Sequence, residues 1–294
     1  MCGVADQAEI LRQRMEKHNR LNKEYQTKIV AVLSGKGGVG KSIFSSNFAL
    51  ALNNANQRTL LVDLDIGMGN IDILLGMDSR YSIVNMIDQR LPVREVLNRH
   101  SSGLFVLTGG SGLADVFRLN DDKFAYFLEQ LHNLKNDFDI IIFDFGAGIN
   151  ESTLKFVSAV HEILLVTTIE PTALTDAYAV VKIVHKYSPE IPIRCVINRY
   201  DNEREADETW KKLSTVAKRF LDKDLVLLGC LPRDRAVVKA VKLRKVLLEA
   251  DPKARVAINI MELAANYLAE HSDQQQDTMD NFITKLRYLF RKKV

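Results

Sequence analysis

A glycine-rich loop between two apolar stretches constrains the fold of this chain more than any other feature. Residues 34–42 read SGKGGVGKS, and Gly35, Gly40, Lys41 and Ser42 match the spacing of a phosphate-binding loop, G-x-x-x-x-G-K-[ST]. The apolar stretch KIVAVLS precedes the loop and the stretch KSIFSSNFALALNNA follows it, which is the strand–loop–helix context that such a loop requires. Backbone N–H groups of the glycines can then close around phosphate oxygens at the start of a helix.

Six further short segments predict the remaining strands. They are rich in Val, Ile and Leu and apolar on both faces, as strands buried in a parallel sheet are. Amphipathic stretches such as PTALTDAYAVVKIVHKY and ETWKKLSTVAKRFL lie between them. We therefore expect an α/β P-loop NTPase fold with a mostly parallel, twisted sheet flanked by helices on both faces. The six segments are TLLVDLD, LFVLTGG, FDIIIFDFG, HEILLVTT, IPIRCVIN and LVLLGCLP.

Composition excludes several classes of protein. The chain of 294 residues has three cysteines, Cys2, Cys195 and Cys230, and no C-x-x-C pair, which is typical of a reducing, cytoplasmic setting. No apolar run approaches the ~20 residues that span a bilayer, and the start MCGVADQAEI is not that of a secretory signal. A formal charge of +3 does not by itself indicate a nucleic-acid binder.

Three aspartates follow predicted strands. Asp63 and Asp65 are spaced i, i+2 in LLVDLD, and Asp144 ends the apolar part of FDIIIFDFGAG. At the carboxyl edge of the sheet one carboxylate can orient an attacking water, while others hold the water shell of Mg²⁺. Two acidic residues after a strand can equally cap a helix, so the pair decides nothing without the neighbouring loop.

The loop also contains a second lysine, Lys36, which the ordinary motif does not need. K-G-G-x-G-K-[ST] resembles the deviant Walker-A loop of the MinD/ParA class of ATPases, and the resemblance extends over residues 28–270 through TTIEPTALTDAYAVVK, VINRY and GCLPRDRAV. It implies ATP or ADP with Mg²⁺ as cofactors, hydrolysis of ATP, and a homodimer closed by ATP. In that dimer Lys36 would contact a phosphate in the partner's site; the alternative is a solvated loop lysine.

The same resemblance implies roles for individual residues. Lys36, Lys41 and Asp65 would be catalytic, with Lys41 on the β- and γ-phosphates and Asp65 positioning the water. The implied metal residues are Ser42, Asp63 and Asp144. The implied nucleotide contacts are Gly35, Gly37, Gly38, Val39, Gly40, Lys41, Ser42, Ile43 and, around the adenine, Asn198, Pro232, Arg233 and Asp234.

The N-terminal segment carries a second motif. Alone, DQAEILRQRM predicts only a frayed amphipathic helix, but it resembles the DQAxxLR motif of the FlhG family (also called YlxH or FleN), MinD-like regulators of flagellar number. The resemblance implies that this arm binds and stimulates FlhF, a signal-recognition-type GTPase, and that flagellar C-ring proteins are further partners. The implied contacts are Asp6, Gln7, Ala8, Leu11 and Arg12, with Gln7 directed toward the GTP.

The C-terminus predicts a basic amphipathic helix. Residues 271–278 are polar and Gln-rich, as linkers are, and MDNFITKLRYLFRKKV follows with one apolar stripe at helical spacing and a cationic flank. Such a helix is typical of an anchor at an anionic membrane surface. A terminal helix docked on its own domain has the same pattern, so both interpretations remain open. The membrane-facing residues would be Phe282, Ile283, Leu286, Leu289 and Phe290.

These features divide the chain into an N-terminal arm (1–27), an ATPase domain (28–270), a linker (271–278) and an amphipathic helix (279–294). We predict an ATP-dependent dimerising switch with weak hydrolysis, reversibly bound to the membrane from the cytoplasm, that regulates flagellum number through FlhF. The alternatives are a MinD-type division-site regulator, a ParA-like partitioning ATPase and a scaffold that binds ATP without turnover. No specific nucleic acid is expected, although basic residues could give non-specific, salt-dependent affinity. Those residues are Arg194, Arg199, Arg204 and the run Lys242 to Lys245.

Overall fold

A mostly parallel sheet forms the centre of the protein. The computed structural model describes residues 27–65, 69–110, 121–271 and 279–291. Its strands are β1 (Lys28–Leu33), β2 (Thr59–Leu64), β3 (Asn98–Arg99), β4 (Phe105–Leu107), β5 (Ile140–Phe145), β6 (Glu162–Thr168), β7 (Ile193–Tyr200) and β8 (Val226–Pro232). They form one sheet in the order β3-β4-β2-β5-β1-β6-β7-β8. Every pairing is parallel except that of β3 with β4. The seven strands predicted from the sequence are confirmed, and the two-residue β3 was too short and polar to be predicted.

Helices connect the strands and cover both faces. They are α1 (Lys41–Asn54), α2 (Ile71–Leu75), α3 (Ile83–Asp88), α4 (Val93–Val96), α5 (Asp121–His132), α6 (Glu151–Val157), α7 (Pro171–Tyr187), α8 (Glu203–Leu221), α9 (Arg235–Lys242), α10 (Leu247–Ala250), α11 (Arg255–Glu270) and α12 (Met279–Arg291). Helix α7 has the predicted bounds and begins with a proline at its first turn. Helix α8 begins earlier than its apolar pattern suggests, because the Asn202 side chain accepts a hydrogen bond from the Glu205 N–H and caps it there.

The side chains of each strand alternate between two cores, as the pleat of a strand requires. Ile29 and Leu33 of β1 lie in a core shared with α5, α6, α7, α8 and α12. Val30 and Val32 of the same strand lie in a core shared with α1, α10 and α11. The α/β architecture with helices on both faces is therefore confirmed.

Helix α12 docks on the domain, which is one of the two interpretations that its sequence left open. Met279, Phe282, Ile283 and Leu286 are buried in the first core, and Leu289 and Phe290 pack against it partly buried. The Phe282 ring lies 5.9 Å from the ring of Phe143 and 5.6 Å from that of Phe156. In this conformation three of the predicted membrane-facing residues are covered by the protein itself, and Leu289 and Phe290 are covered in part.

The predicted partner-binding residues Asp6, Gln7, Ala8, Leu11 and Arg12 lie outside the described residues. Among the residues that are described, no helix is both long enough and apolar enough to cross a bilayer.

A buried carboxylate, Glu162, ties together the edge of the sheet at which the parallel strands β1, β6 and β7 begin. Its two oxygens receive Arg194 Nε at 2.6 Å and the Tyr267 hydroxyl at 2.8 Å, and Lys28 Nζ lies 3.7 Å away. Burial by itself raises the pKa of Glu162, but the His271 ring 3.5 Å away and the charges of Lys28 and Arg194 outweigh burial and lower the pKa to about 2. The cluster fixes the start of β6 against β1, β7 and α11.

This cluster removes Arg194 from the basic residues that were expected to give non-specific affinity for nucleic acid. Arg194 is 8% exposed and is paired with Glu162 and Glu270, so its guanidinium does not reach a surface where a phosphate backbone could bind. The sequence did not reveal the pairing because Glu162 and Arg194 come together only through the adjacent strands β6 and β7.

We expect the Glu162→Gln substitution to lower the free energy of unfolding at pH 7 by about 3–5 kcal/mol, since the buried Lys28 would lose its counter-charge and Arg194 would keep only Glu270. The carboxylate contributes fully above pH 4.5, its unfolded pKa, and this contribution is lost as the pH falls toward 2. Urea unfolding should therefore show a shallower decline over that pH range in the variant than in the parent. Glu208→Gln removes an exposed pair with Arg204 and should cost less than about 1 kcal/mol. Equal losses in the two variants would contradict the assigned role.

Candidate nucleotide-binding site

The glycine loop is packed tightly from behind and open in front. A Cβ on Gly35 would lie 2.2 Å from the carbonyl carbon of Asp176 in α7, so only glycine fits. Gly40 has a φ of 92°, where an L side chain is strained, and its Cβ would lie 2.5 Å from Asn198 Nδ2. A Cβ on Gly38 would meet nothing within 4 Å. The loop thus presents its backbone to an open side, as a phosphate cradle must.

The predicted lysine and one predicted aspartate meet behind this loop. Lys41 Nζ donates to Asp144 Oδ1 at 2.9 Å and lies 3.2 Å from the Ser42 hydroxyl. The Ser45 hydroxyl also donates to Asp144 Oδ1, at 2.7 Å. The second oxygen of Asp144, Oδ2, is buried without a hydrogen-bond partner among the described residues. A buried carboxylate oxygen without a partner fits a nearby cation or its water shell.

A second carboxylate, Asp63, lies beside the first. Asp63 of β2 and Asp144 of the adjacent strand β5 are register partners. Asp63 Oδ1 accepts a hydrogen bond from the Asp65 N–H at 2.9 Å. Burial, together with the negative charge of Asp144, raises the pKa of Asp63 to about 6. Two adjacent buried carboxylates need positive charge, which supports a divalent cation at this edge.

Asp65, another predicted catalytic residue, lies at the same edge of the sheet. Asp65 follows β2 and is partly exposed, and its Oδ1 would be 3.1 Å from a Cβ on Gly146, in the loop after β5. Among the described residues, no group of three His, Cys, Asp or Glu side chains is arranged to hold a metal alone. Mg²⁺ is commonly bound by one or two carboxylates together with substrate phosphates, and this arrangement suits that mode.

The extra lysine of the loop faces solvent. Lys36 Nζ contacts Glu170 Oε2 at 3.1 Å and the Thr172 hydroxyl at 3.0 Å, both at the start of α7. The Lys36 and Glu170 side chains are 41% and 59% exposed. Lys36 is therefore not only solvated, as the alternative interpretation of the sequence supposed. Its ammonium group also contacts two side chains of its own chain.

A cavity of about 350 Å³ opens beside the loop. The side chains predicted to surround an adenine, Asn198, Pro232, Arg233 and Asp234, all line it, as does Ile43. Asn198 Nδ2 donates to the Val39 carbonyl at 2.7 Å, which ties the cavity to the loop. The apolar part of the lining suits a flat aromatic base and comprises Phe44, Leu231, Val237, Val238, Leu247, Val256 and Ile260.

The structure adds residues that the sequence reasoning missed or misassigned. Ser45 was missed, although its i+4 spacing from Lys41 places both on one face of α1. Arg199 was considered as a contact for nucleic acid, but its guanidinium donates to the Gly38 carbonyl at 2.6 Å from a backbone with φ 59°. Glu170 and Thr172, the partners of Lys36, are distant in sequence and gave no local signal.

Comparisons with known proteins agree with this geometry. The family model described as "ParA: NUBPL iron-transfer P-loop NTPase" matches residues 26–268. The antiactivator FleN of Pseudomonas aeruginosa is 33% identical over 82% of this chain and 86% of its own length. The flagellum site-determining protein YlxH of Helicobacter pylori is 30% identical over 81% of each.

A solved structure shares the fold. The septum site-determining protein MinD complexed with Mg-ADP from Pyrococcus horikoshii superposes with a TM-score of 0.66 at 22% identity, over 82% of this chain and 96% of that one. Together, the glycine loop, the sheet order and the sequence matches establish the family. The chain belongs to the MinD/ParA family of P-loop NTPases, among its FlhG-like (FleN and YlxH) members.

Proposed function

We propose that this protein is an ATP-dependent dimerising switch that hydrolyses ATP and regulates flagellum number through a FlhF-type GTPase. The observation that carries the proposal is the meeting of Lys41, Asp63, Asp144 and the base cavity at one edge of the sheet, behind a loop with an additional exposed lysine. The similarity to FleN and YlxH supports the flagellar role.

In the proposed site each group of the chain has one task. Backbone N–H groups of the glycine loop would hold the phosphates, and Lys41, which contacts Asp144 in this structure, would contact the β- and γ-phosphate oxygens. The Ser42 hydroxyl and the carboxylates of Asp63 and Asp144 would hold Mg²⁺ and its water shell. Mg²⁺ supplies neutralisation of the negative charge on the phosphates. Asp65, partly exposed at the open side, orients the attacking water.

Lys36 is the residue that we propose to link two copies. Its ion pair with Glu170 is well exposed, and exposed pairs contribute at most about 1 kcal/mol. The lysine can therefore leave Glu170 at small cost to contact a phosphate in the partner's site. A cation donated in this way works only when nucleotide is bound, so ATP would close the homodimer.

We propose that helix α12 binds an anionic membrane only after it has dissociated from the core of its own domain. Its four buried apolar side chains each stabilise the docked position by roughly 1.5–3 kcal/mol, on the order of 10 kcal/mol in all. Membrane insertion of the same face, together with its basic residues, can offset most of this cost. A dimer that presents two such helices gains further through effective concentration. We therefore propose reversible membrane association coupled to dimerisation, with residues 271–278 as the linker.

The partners that we propose follow from the FlhG-like motif at the N-terminus. Residues 1–27 would bind the GTPase through Asp6, Gln7, Ala8, Leu11 and Arg12, and flagellar C-ring proteins would be further partners of the chain. A MinD-type division regulator is the alternative, because MinD has the same fold. A DNA-partitioning role has less support, because Arg194 is buried in ion pairs and Arg199 is bonded to the loop.

We expect Ser45→Ala to raise the Mg²⁺ concentration needed for tight ADP binding by about tenfold, since groups that orient a metal-site carboxylate typically affect affinity to this extent. Once Lys41 turns to a phosphate, Ser45 is the donor that keeps Asp144 in place. Titration of Mg²⁺ against fluorescent ADP measures the effect. Ser46→Ala is the matched control, because its equally buried hydroxyl donates to the Ile43 carbonyl. Identical Mg²⁺ dependence in the two variants would refute the role.

The Lys36→Gln and Glu170→Gln variants separate a role in the partner's site from a role within one chain. Both substitutions break the same intramolecular ion pair. We expect the parent with ATP to elute as a dimer in gel filtration and to co-sediment with phosphatidylglycerol vesicles, and to do neither with ADP. Lys36→Gln should lose both responses and Glu170→Gln should keep both. If the two variants behave alike, Lys36 acts only within its own chain.

Stimulation of FlhF tests the flagellar function directly. We expect the full chain to accelerate GTP hydrolysis by FlhF at least about tenfold, the order of effect expected of a residue that positions a nucleophile or charge at a GTPase site. Gln7→Ala should abolish the acceleration, whereas Gln13→Ala, in the same arm but outside the motif, should retain it. An ATPase that dimerises normally but leaves FlhF unaffected would favour the division-site alternative.

A further inference from the structure

Helix α9 and the turn that follows it concentrate unpaired positive charge. Residues 235–248 contain five basic residues and no acidic one, although the formal charge of the whole chain is only +3. All five are exposed, and none has a carboxylate at ion-pair distance within the described ranges. Basic residues of α8 such as Lys211 and Lys218, by contrast, are paired with nearby aspartates. The five are Arg235, Lys239, Lys242, Arg244 and Lys245.

Aliphatic side chains lie exposed among these cations. Val238, Val241 and Leu243 are 58%, 38% and 55% exposed, whereas Ala240 is the buried residue of α9. Positions 238, 241 and 242 share one side of the helix through the i, i+3 and i, i+4 spacing. We call this surface, formed by the five basic residues and the three aliphatic ones, the basic face. It combines positive charge with uncovered apolar area, which is typical of a contact surface.

We propose that the basic face docks an acidic amphipathic segment of another protein, one that presents Asp or Glu beside aliphatic side chains. Charge complementarity assigns the carboxylates to the five cations, and Val238, Val241 and Leu243 need an apolar counterpart. A second copy of this chain does not meet these requirements, because a two-fold contact through this surface would set the same cations against each other. Arg235 and Val238 also line the base cavity, so the inference rests on the six residues of the basic face that do not line it, in α9 and in the turn that follows. They are Lys239, Val241, Lys242, Leu243, Arg244 and Lys245.

Two other anionic occupants fit less well. A nucleic-acid backbone would pair with the cations but leave the three aliphatic side chains without an apolar contact. A lipid surface is disfavoured because residues 235–248 contain no aromatic residue, the side chain type that anchors proteins at lipid interfaces. Helix α9 also packs against the core that lies on the opposite side of the sheet from the docked α12.

Photo-cross-linking in cells of the source organism tests this inference with the full chain. A benzophenone amino acid replaces Val241 in one strain and Lys245 in another, and neither residue lines the base cavity. We expect an adduct with a protein whose cross-linked peptide, mapped by mass spectrometry, carries Asp or Glu beside aliphatic residues. Adding Lys239→Glu and Lys242→Glu should reduce the adduct at least about tenfold through like-charge repulsion. Adding Lys211→Glu and Lys218→Glu, the control on α8, should not.

A charge exchange completes the test. Replacing the mapped carboxylates of the partner by lysine should restore the adduct to the chain carrying Lys239→Glu and Lys242→Glu. Adducts with lipid, nucleic acid, a second copy of this chain or a peptide without acidic residues would each overturn the proposal. So would the absence of an adduct at both positions in chains whose thermal melting matches that of the parent.

Discussion

The buried ion pair between Lys41 and Asp144 joins the glycine loop to the middle of the sheet, and the arrangement of the site depends on it. Lys41 is 7% exposed and Asp144 is fully buried, so neither charge could remain there alone. Asp144 is the penultimate residue of β5, which lies between β1 and β2. The loop after β1 and the aspartates after β2 are therefore held on either side of one carboxylate. A ligand that draws Lys41 away must replace its positive charge beside Asp144, and in the proposed site the Mg²⁺ that accompanies the nucleotide would do so.

A second set of contacts couples the loop to the base cavity. Asn198 and Arg199, at the end of β7, donate to the carbonyls of Val39 and Gly38. Because both residues also line the cavity, a shift of the loop on phosphate binding reaches the walls that enclose a base. Helix α9 begins at the same cavity with Asp234 as its cap. A partner bound to the basic face would therefore lie next to a nucleotide bound in the cavity.

The sequence predicted those features that depend on local pattern. The seven parallel strands, the loop and the convergence of Asp63, Asp65 and Asp144 follow from apolar periodicity and from the rule that parallel strands end at one edge. Pairings between distant segments were not predictable. Lys36 with Glu170 and Glu162 with Arg194 are each a choice among many possible partners, which only the strand order resolves. Ser45 was missed because a serine in a helix has no distinctive pattern.

Helix α12 shows the limit of pattern most clearly. An amphipathic stripe indicates that one apolar face of the helix must be covered. It does not indicate the covering surface, because lipid and protein can both cover such a face. Here the cover is α5, α6 and the Phe143–Phe156 pair, with Asp280 held by His132 and Lys135 at the start of the helix. The same four side chains cannot serve both surfaces at once. Docking and the proposed membrane binding would therefore compete, and any event that loosens α5 or α6 would shift the balance toward the membrane.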